Sequence, residues 1–280
     1  MTRTRMVSSL LTVALFAVAA CRTYDTQEQD RVVAQFIETL PAAPPNEFYE
    51  PAVVPMPPGA ALNLSPNDPQ PGEYFTFQSC TAAWSFTLAD GRNIAVTASH
   101  CGKPGDKVWA GTQGDDFAYP ADPVGEVVYS DFFAEDTHHL DVAFIELYRD
   151  ADYFTPGEVA TTVATRLHNL PDAVCKLGNT TNVTCGNVKK AVDFTQLNYQ
   201  GLEHESNAAL AEMCSAVGDS GGPVYGDVDG RQTIVGLVSG TTEPLDEGLS
   251  CEDTQQNIAV AFTTAPDIQE LALKVLGPVA

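Results

Sequence analysis

Gly218-Asp219-Ser220-Gly221-Gly222-Pro223-Val224 is the stretch from which the rest of the chain can be read. Its glycines permit a tight turn with positive φ around a single serine. A serine hydroxyl is a weak nucleophile near neutral pH and needs an imidazole within hydrogen-bond reach to take its proton. Upstream, Thr97-Ala98-Ser99-His100-Cys101 offers one in His100. That imidazole needs a buried carboxylate to fix its tautomer and stabilise the imidazolium. Asp141 supplies one at the head of an apolar, strand-like run, Leu140-Asp141-Val142-Ala143-Phe144-Ile145. Taken alone, the glycine-rich stretch also suits an ordinary turn. The three segments together, in the order His100, Asp141, Ser220, point to acyl transfer and match the chain order of one known triad architecture. Gly218 and Ser220 bracket the turn, and their backbone N–H groups can converge on a developing oxyanion.

From about Glu73 the chain is built of short β-branched and aromatic runs broken by Gly, Pro, Asn and Asp. The pattern predicts strands at 81–88, 93–97, 124–129 and 142–148, then at 182–199, 222–225, 233–238 and 258–262. Residues 266–276 carry an amphipathic helical pattern led by Pro266, which suits a first turn. Evenly spaced strands with few helices predict an all-β protein of two barrels. Asp227-Val228-Asp229-Gly230 is part of a calcium-loop pattern, but it lacks the further ligands and closing Glu. A hairpin turn accounts for it better.

At His100, Asp141 and Ser220 the chain resembles the chymotrypsin-like serine peptidases, over roughly residues 75–276. The resemblance implies two six-stranded antiparallel Greek-key barrels with a short C-terminal helix. The first (73–170) would carry His100 and Asp141, and the second (171–276) Ser220. Val174-Cys175-Lys176-Leu177-Gly178-Asn179-Thr180-Thr181, followed by Cys185-Gly186, is similar to a segment of the bacterial streptogrisin and α-lytic type enzymes. The spacing from Cys214 to Ser220 fits the same branch.

By that resemblance the disulfides are Cys80–Cys101, Cys175–Cys185 and Cys214–Cys251, although six cysteines permit fifteen pairings. It also places Ser239 on the catalytic aspartate and the substrate pocket around Glu212, Val238, Ser239, Gly240 and Thr241. Thr241 would narrow that pocket, whereas an acid at Glu212 would favour Lys or Arg, so the two clues conflict. Digestive relatives pair the aspartate before the nucleophile with a new N-terminal amine. No suitable segment stands here, and Lys176 is the expected partner of Asp219. No cofactor or metal is implied: there is no Cys-x-x-Cys pair, and His138-His139 lacks a spaced partner and reads as a solvated loop. The function expected is a serine endopeptidase acting on protein or peptide substrates, as a monomer. The alternative is a catalytically silent peptidase-like lipoprotein serving as adhesin or scaffold.

Composition sets the compartment. The chain has 280 residues, with Lys+Arg 14 and Asp+Glu 37 for a formal charge of −23. Nucleic acid is not an expected partner, because phosphate binding needs clustered Lys and Arg. Residues 1–20 read as an export signal, with Arg3 and Arg5 ahead of a mostly apolar run from Val7 to Ala20 that is too short to span a bilayer. Val18-Ala19-Ala20-Cys21 resembles a bacterial lipobox, in which Cys21 would be lipidated; plain secretion with cleavage after Ala20 is the alternative. Seven cysteines less Cys21 leave an even set, which suits an oxidising compartment. Residues 31–40 form a short amphipathic pattern. Residues 41–72 hold ten of the 19 prolines and read as an extended spacer or pro-segment, so that 21–72 would hold the catalytic domain off a membrane.

Overall fold

The two sheets are antiparallel but for one parallel pairing in the second, and the ends of their strands carry the candidate residues. The structure, a computed structural model, describes residues 44–111, 122–199, 202–242 and 258–280. Residues 45–280 form one compact unit. The chain lays down β1 (Glu47–Tyr49), β2 (Ala61–Ser65), β3 (Gln78–Thr81), β4 (Trp84–Thr87), β5 (Asn93–Thr97), β6 (Lys107–Ala110), β7 (Gly125–Ser130) and β8 (Ala143–Leu147). Then follow β9 (Val163–Arg166), β10 (Ala173–Gly178), β11 (Asn182–Tyr199), β12 (Leu202–Met213), β13 (Pro223–Val228), β14 (Arg231–Thr241) and β15 (Ile258–Thr264). A single helix of regular length, α1 (Ala265–Val275), closes the described chain.

Seven strands form the first sheet in the order β3-β2-β6-β7-β8-β5-β4, and eight form the second in the order β1-β9-β14-β13-β10-β11-β12-β15. This is the two-barrel chymotrypsin-like fold, with more strands per sheet than six because β3 and β4 are split and β1 and β9 add an edge. The first core is filled by Leu62, Leu64, Trp84, Phe86, Ile94, Val96, Phe144 and Ile145. The second is filled by Val174, Met213, Val224, Val235, Val260 and Phe262. Asp229 (φ 56) and Gly230 (φ 76) both adopt left-handed backbone between β13 and β14. That is the two-residue turn favoured in twisted hairpins, so the hairpin reading of Asp227–Gly230 holds.

The spacer reading of 41–72 does not hold for its latter part. β2 is buried at all five residues and lies between β3 and β6. Upstream, Ser85 Oγ donates to the Met56 carbonyl at 2.8 Å and accepts from the Met56 amide at 2.9 Å, and Met56 is fully buried. The prolines space this segment, but Leu62 and Leu64 provide the apolar alternation that seats it in the core. Among the described residues the first barrel therefore takes in chain well ahead of residue 73. Residues 1–43, with the expected signal, Cys21 and the 31–40 pattern, lie outside the described residues. Among the described residues no helix is long and apolar enough to cross a membrane.

Candidate active site

Register brings His100 and Asp141 together. β5 and β8 are antiparallel, and Thr97 at the end of one pairs with Ala143 at the start of the other. A short 3-10 turn over Ser99–Cys101 follows β5 and carries His100, while Asp141 stands two residues ahead of β8. The Asp141 carboxylate contacts His100 Nδ1 at 2.7 Å through Oδ2 and accepts the His100 amide at 3.1 Å through Oδ1. Both side chains are almost fully buried, at 4% and 1% exposure. Ser239 Oγ, fully buried on β14, donates to the same Oδ2 at 2.6 Å. A carboxyl oxygen accepts here, so the tautomer of His100 that completes this contact is the one with hydrogen on Nδ1.

The Ser220 turn is pinned under the same loop. Thr81, at the end of β3, donates its amide to the Ser220 carbonyl at 2.8 Å. Its neighbour Cys80 is bonded to Cys101, beside His100. Thr97 Oγ1 in turn donates to the Thr81 carbonyl at 2.9 Å. A Cβ on Gly221 would lie 2.1 Å from Thr97 Oγ1, and φ there is +82°, so only glycine lets the second barrel come this close to the first. Val238 exchanges backbone hydrogen bonds of 2.8 Å with Gly221 and Gly222, which sets Ser239 behind the turn.

Gly218 has φ +100°. Among the described residues no backbone hydrogen bond runs from the Gly218 or the Ser220 amide to another protein group. Beneath the turn, Asp219 and Lys176 form an ion pair at 2.9 Å with both side chains fully buried. Asp219 also accepts the amides of Thr180 (2.9 Å), Thr181 (3.0 Å) and Ala216 (2.9 Å), and the hydroxyl of Thr181 at 2.5 Å. Lys176 further donates to Thr181 Oγ1 and to the Asn182 carbonyl. Burial pushes the Lys176 ammonium below the ordinary lysine range, and Asp219 pulls it back only in part.

The expected pocket residues divide. Val238, Ser239 and Thr241 are buried on β14, with Gly240 half-buried between them. Glu212 is different. Its neighbours Ala211 and Met213 are fully buried, so strand alternation turns Glu212 outward. There it pairs with Lys189 at 2.9 Å, both about half exposed. A buried acid at the pocket base, with the preference for Lys or Arg that it would bring, is therefore not what Glu212 provides. Cys175–Cys185 joins β10 to β11. Cys214 is disulfide-bonded, and Cys251 lies outside the described residues.

The loop before Asp141 is also tied to a buried side chain. Asp131 is fully buried and accepts the Tyr129 hydroxyl at 2.7 Å, the Thr137 hydroxyl at 2.9 Å, and the amides of His138 and Leu140 at 3.0 Å. His138 Nδ1 lies 3.0 Å from the same carboxylate. Burial alone would raise the Asp131 carboxyl, but the Leu140 amide, the Tyr129 hydroxyl and His138 outweigh it and hold it below the usual range. Sequence patterns did not single out Asp131, because an aspartate in a polar loop carries no sign of burial. No cluster of metal-ligating side chains occurs among the described residues.

Comparison with known proteins agrees with this architecture. The family model described as Trypsin matches residues 79–262. A search of curated proteins finds no match. Among solved structures, Thermobifida fusca Protease A has a TM-score of 0.50 at 21% identity, covering 80% of this chain and 97% of that one. A glutamic acid specific serine protease, described as using a histidine triad in substrate binding, has a TM-score of 0.50 at 22% identity, covering 80% and 100%. At these identities the structural likeness is one of fold.

Proposed function

The chain belongs to the trypsin family of serine peptidases, and from that premise we propose that Ser220, His100 and Asp141 are its catalytic triad, working outside the cytoplasm on protein or peptide substrates. The observation that carries this reading is the buried Asp141 carboxylate on His100 Nδ1 at 2.7 Å, with the Ser220 turn held against the same loop. His100 takes the Ser220 proton at Nε2 while Ser220 Oγ bonds to the substrate carbonyl carbon. The carbonyl oxygen, now an oxyanion, accepts from the Gly218 and Ser220 amides. His100 returns the proton to the leaving amine as the C–N bond breaks, giving an acyl-enzyme. Water then attacks the ester carbonyl with His100 again as base; the C–O bond to Ser220 breaks, His100 returns the proton to Ser220 Oγ, and the acid product leaves. Asp141, with Ser239 behind it, holds the imidazole in the tautomer that these steps require.

Val238, Gly240 and Thr241 would wall the pocket for the side chain before the cleaved bond, with Thr241 limiting its depth. Export is supported by the disulfides, which suit an oxidising compartment. We further propose that Cys21 carries a lipid anchor, on the strength of the Val18–Cys21 sequence; metabolic labelling with a fatty acid, lost in Cys21→Ala, tests it. For the triad, Ser220→Ala and His100→Ala should each lower peptide hydrolysis by several orders of magnitude, and the double variant little further, because a triad acts as a unit. Near-normal hydrolysis by Ser220→Ala would overturn the assignment.

A further inference from the structure

The peptide plane that carries the Gly218 amide is held from behind by a side chain that takes no part in the triad. Thr180 Oγ1 donates to the Val217 carbonyl at 2.6 Å. In a trans peptide the C=O and the following N–H point in opposite directions. Fixing the Val217 oxygen toward Thr180 therefore aims the Gly218 N–H away from the Thr180 hydroxyl. Gly218 itself offers little resistance to rotation of this plane, since a glycine at φ +100° can populate either hand of φ. The restraint comes from neighbours. The Thr180 amide is bonded to Asp219 at 2.9 Å, so the threonine is anchored to the buried ion pair while its hydroxyl reaches the exposed face of the turn.

The next peptide is held in the same way from the other barrel. Thr81 Oγ1, fully buried, donates to the Gly218 carbonyl at 2.8 Å and accepts the Asn179 amide at 3.0 Å. Two successive planes, 217–218 and 218–219, thus each have their carbonyl tied to a threonine hydroxyl. We infer that Thr180, backed by Thr81, is a positioning residue that keeps the Gly218 amide pointed at the oxyanion. Thr180 touches no reacting atom; it acts through the orientation of the 217–218 plane. The inference rests on the oxyanion role assigned above to Gly218.

The test uses Thr180→Val, which keeps the shape and removes the hydroxyl, and Thr180→Ser, which restores it. Thr180 is exposed, so neither change disturbs the core. Thr180→Val should lower kcat about three- to tenfold, the range of one net hydrogen bond, with KM nearly unchanged. Affinity for a peptide aldehyde, which forms a tetrahedral adduct bearing the oxyanion, should fall by the same factor. Affinity for the same peptide with a methyl group in place of the aldehyde, which has no oxygen for the turn to bind, should not change. Thr180→Ser should recover both kcat and aldehyde affinity. Thr180→Ala gives a second hydroxyl-free variant should valine crowd the turn and lower the melting temperature. Wild-type kcat in a folded hydroxyl-free variant overturns the inference, as does equal weakening of the aldehyde and its methyl analogue, or failure of serine to rescue. Fluorophosphonate labelling of the wild type separates these results from failure of the peptidase reading: a wild type that does not label removes the premise, whereas one that labels leaves only Thr180 in question.

Discussion

Replacing Lys176 by methionine keeps most of the side-chain volume and removes the charge that faces Asp219. At 2.9 Å and an effective dielectric constant of about 20, the pair's Coulomb attraction is about 6 kcal/mol, opposed by the cost of burying the ammonium. The variant loses the attraction and leaves a fully buried carboxylate without a counter-charge. Such one-sided removal costs about 3–5 kcal/mol. Asp219 keeps the Thr180, Thr181 and Ala216 amides, which places the loss toward the lower end. For a folded unit of this size the melting temperature should fall by about 6–20 °C. Since Asp219 lies between Gly218 and Ser220, loosening it should also lower kcat at least tenfold. Adding Asp219→Asn in the same chain should recover part of the stability, because the buried charge is then gone from both sides. Urea unfolding and steady-state peptide hydrolysis on the same samples read both effects. An unchanged midpoint and unchanged kcat in Lys176→Met would refute the claim that this pair organises the oxyanion turn.

Ser239→Ala removes a buried donor to the Asp141 side chain and should lower kcat about three- to tenfold with KM retained, as steady-state kinetics would show. Asp131 has a depressed carboxyl, so below about pH 4 the unfolded chain takes up its proton first. Its contribution is thus present above the ordinary carboxylate range and lost as pH falls through the depressed value. Asp131→Asn should be less stable than wild type at pH 7, with the gap narrowing toward pH 2 in acid denaturation. A chain beginning at Pro45 should keep a cooperative thermal transition by circular dichroism, whereas one beginning at Glu73 should not, because losing β2 exposes the facing edges of β3 and β6.

Much of the site could be read directly because its chemistry demands particular residue types at particular places. The glycines of 218–222, the histidine after β5 and the aspartate before β8 each serve a geometric need that leaves few substitutes. β11 was legible at both ends, Asn182 and Tyr199, since turn residues bound a long run of β-formers. β2 was not. Its five residues lie among prolines, which mask the short alternation of Leu62 and Leu64, and the strands that bury it come later in the chain. The direction of Glu212 depends on which residue of β12 meets which of β15, and a slip of one residue reverses the face. Thr81 and Thr180 were silent for another reason: threonine is common in strands and turns, and only the carbonyls they meet, Gly218 and Val217, mark them.

The central claim, an activated Ser220, is tested most directly by treating the folded protein with a fluorophosphonate and locating the adduct by mass spectrometry of the intact chain and its peptides. A hydroxyl polarised by His100 should label once per chain, on Ser220, and Ser220→Ala should take up no label. A folded wild-type protein that does not label, or an adduct that persists in Ser220→Ala, would contradict the account.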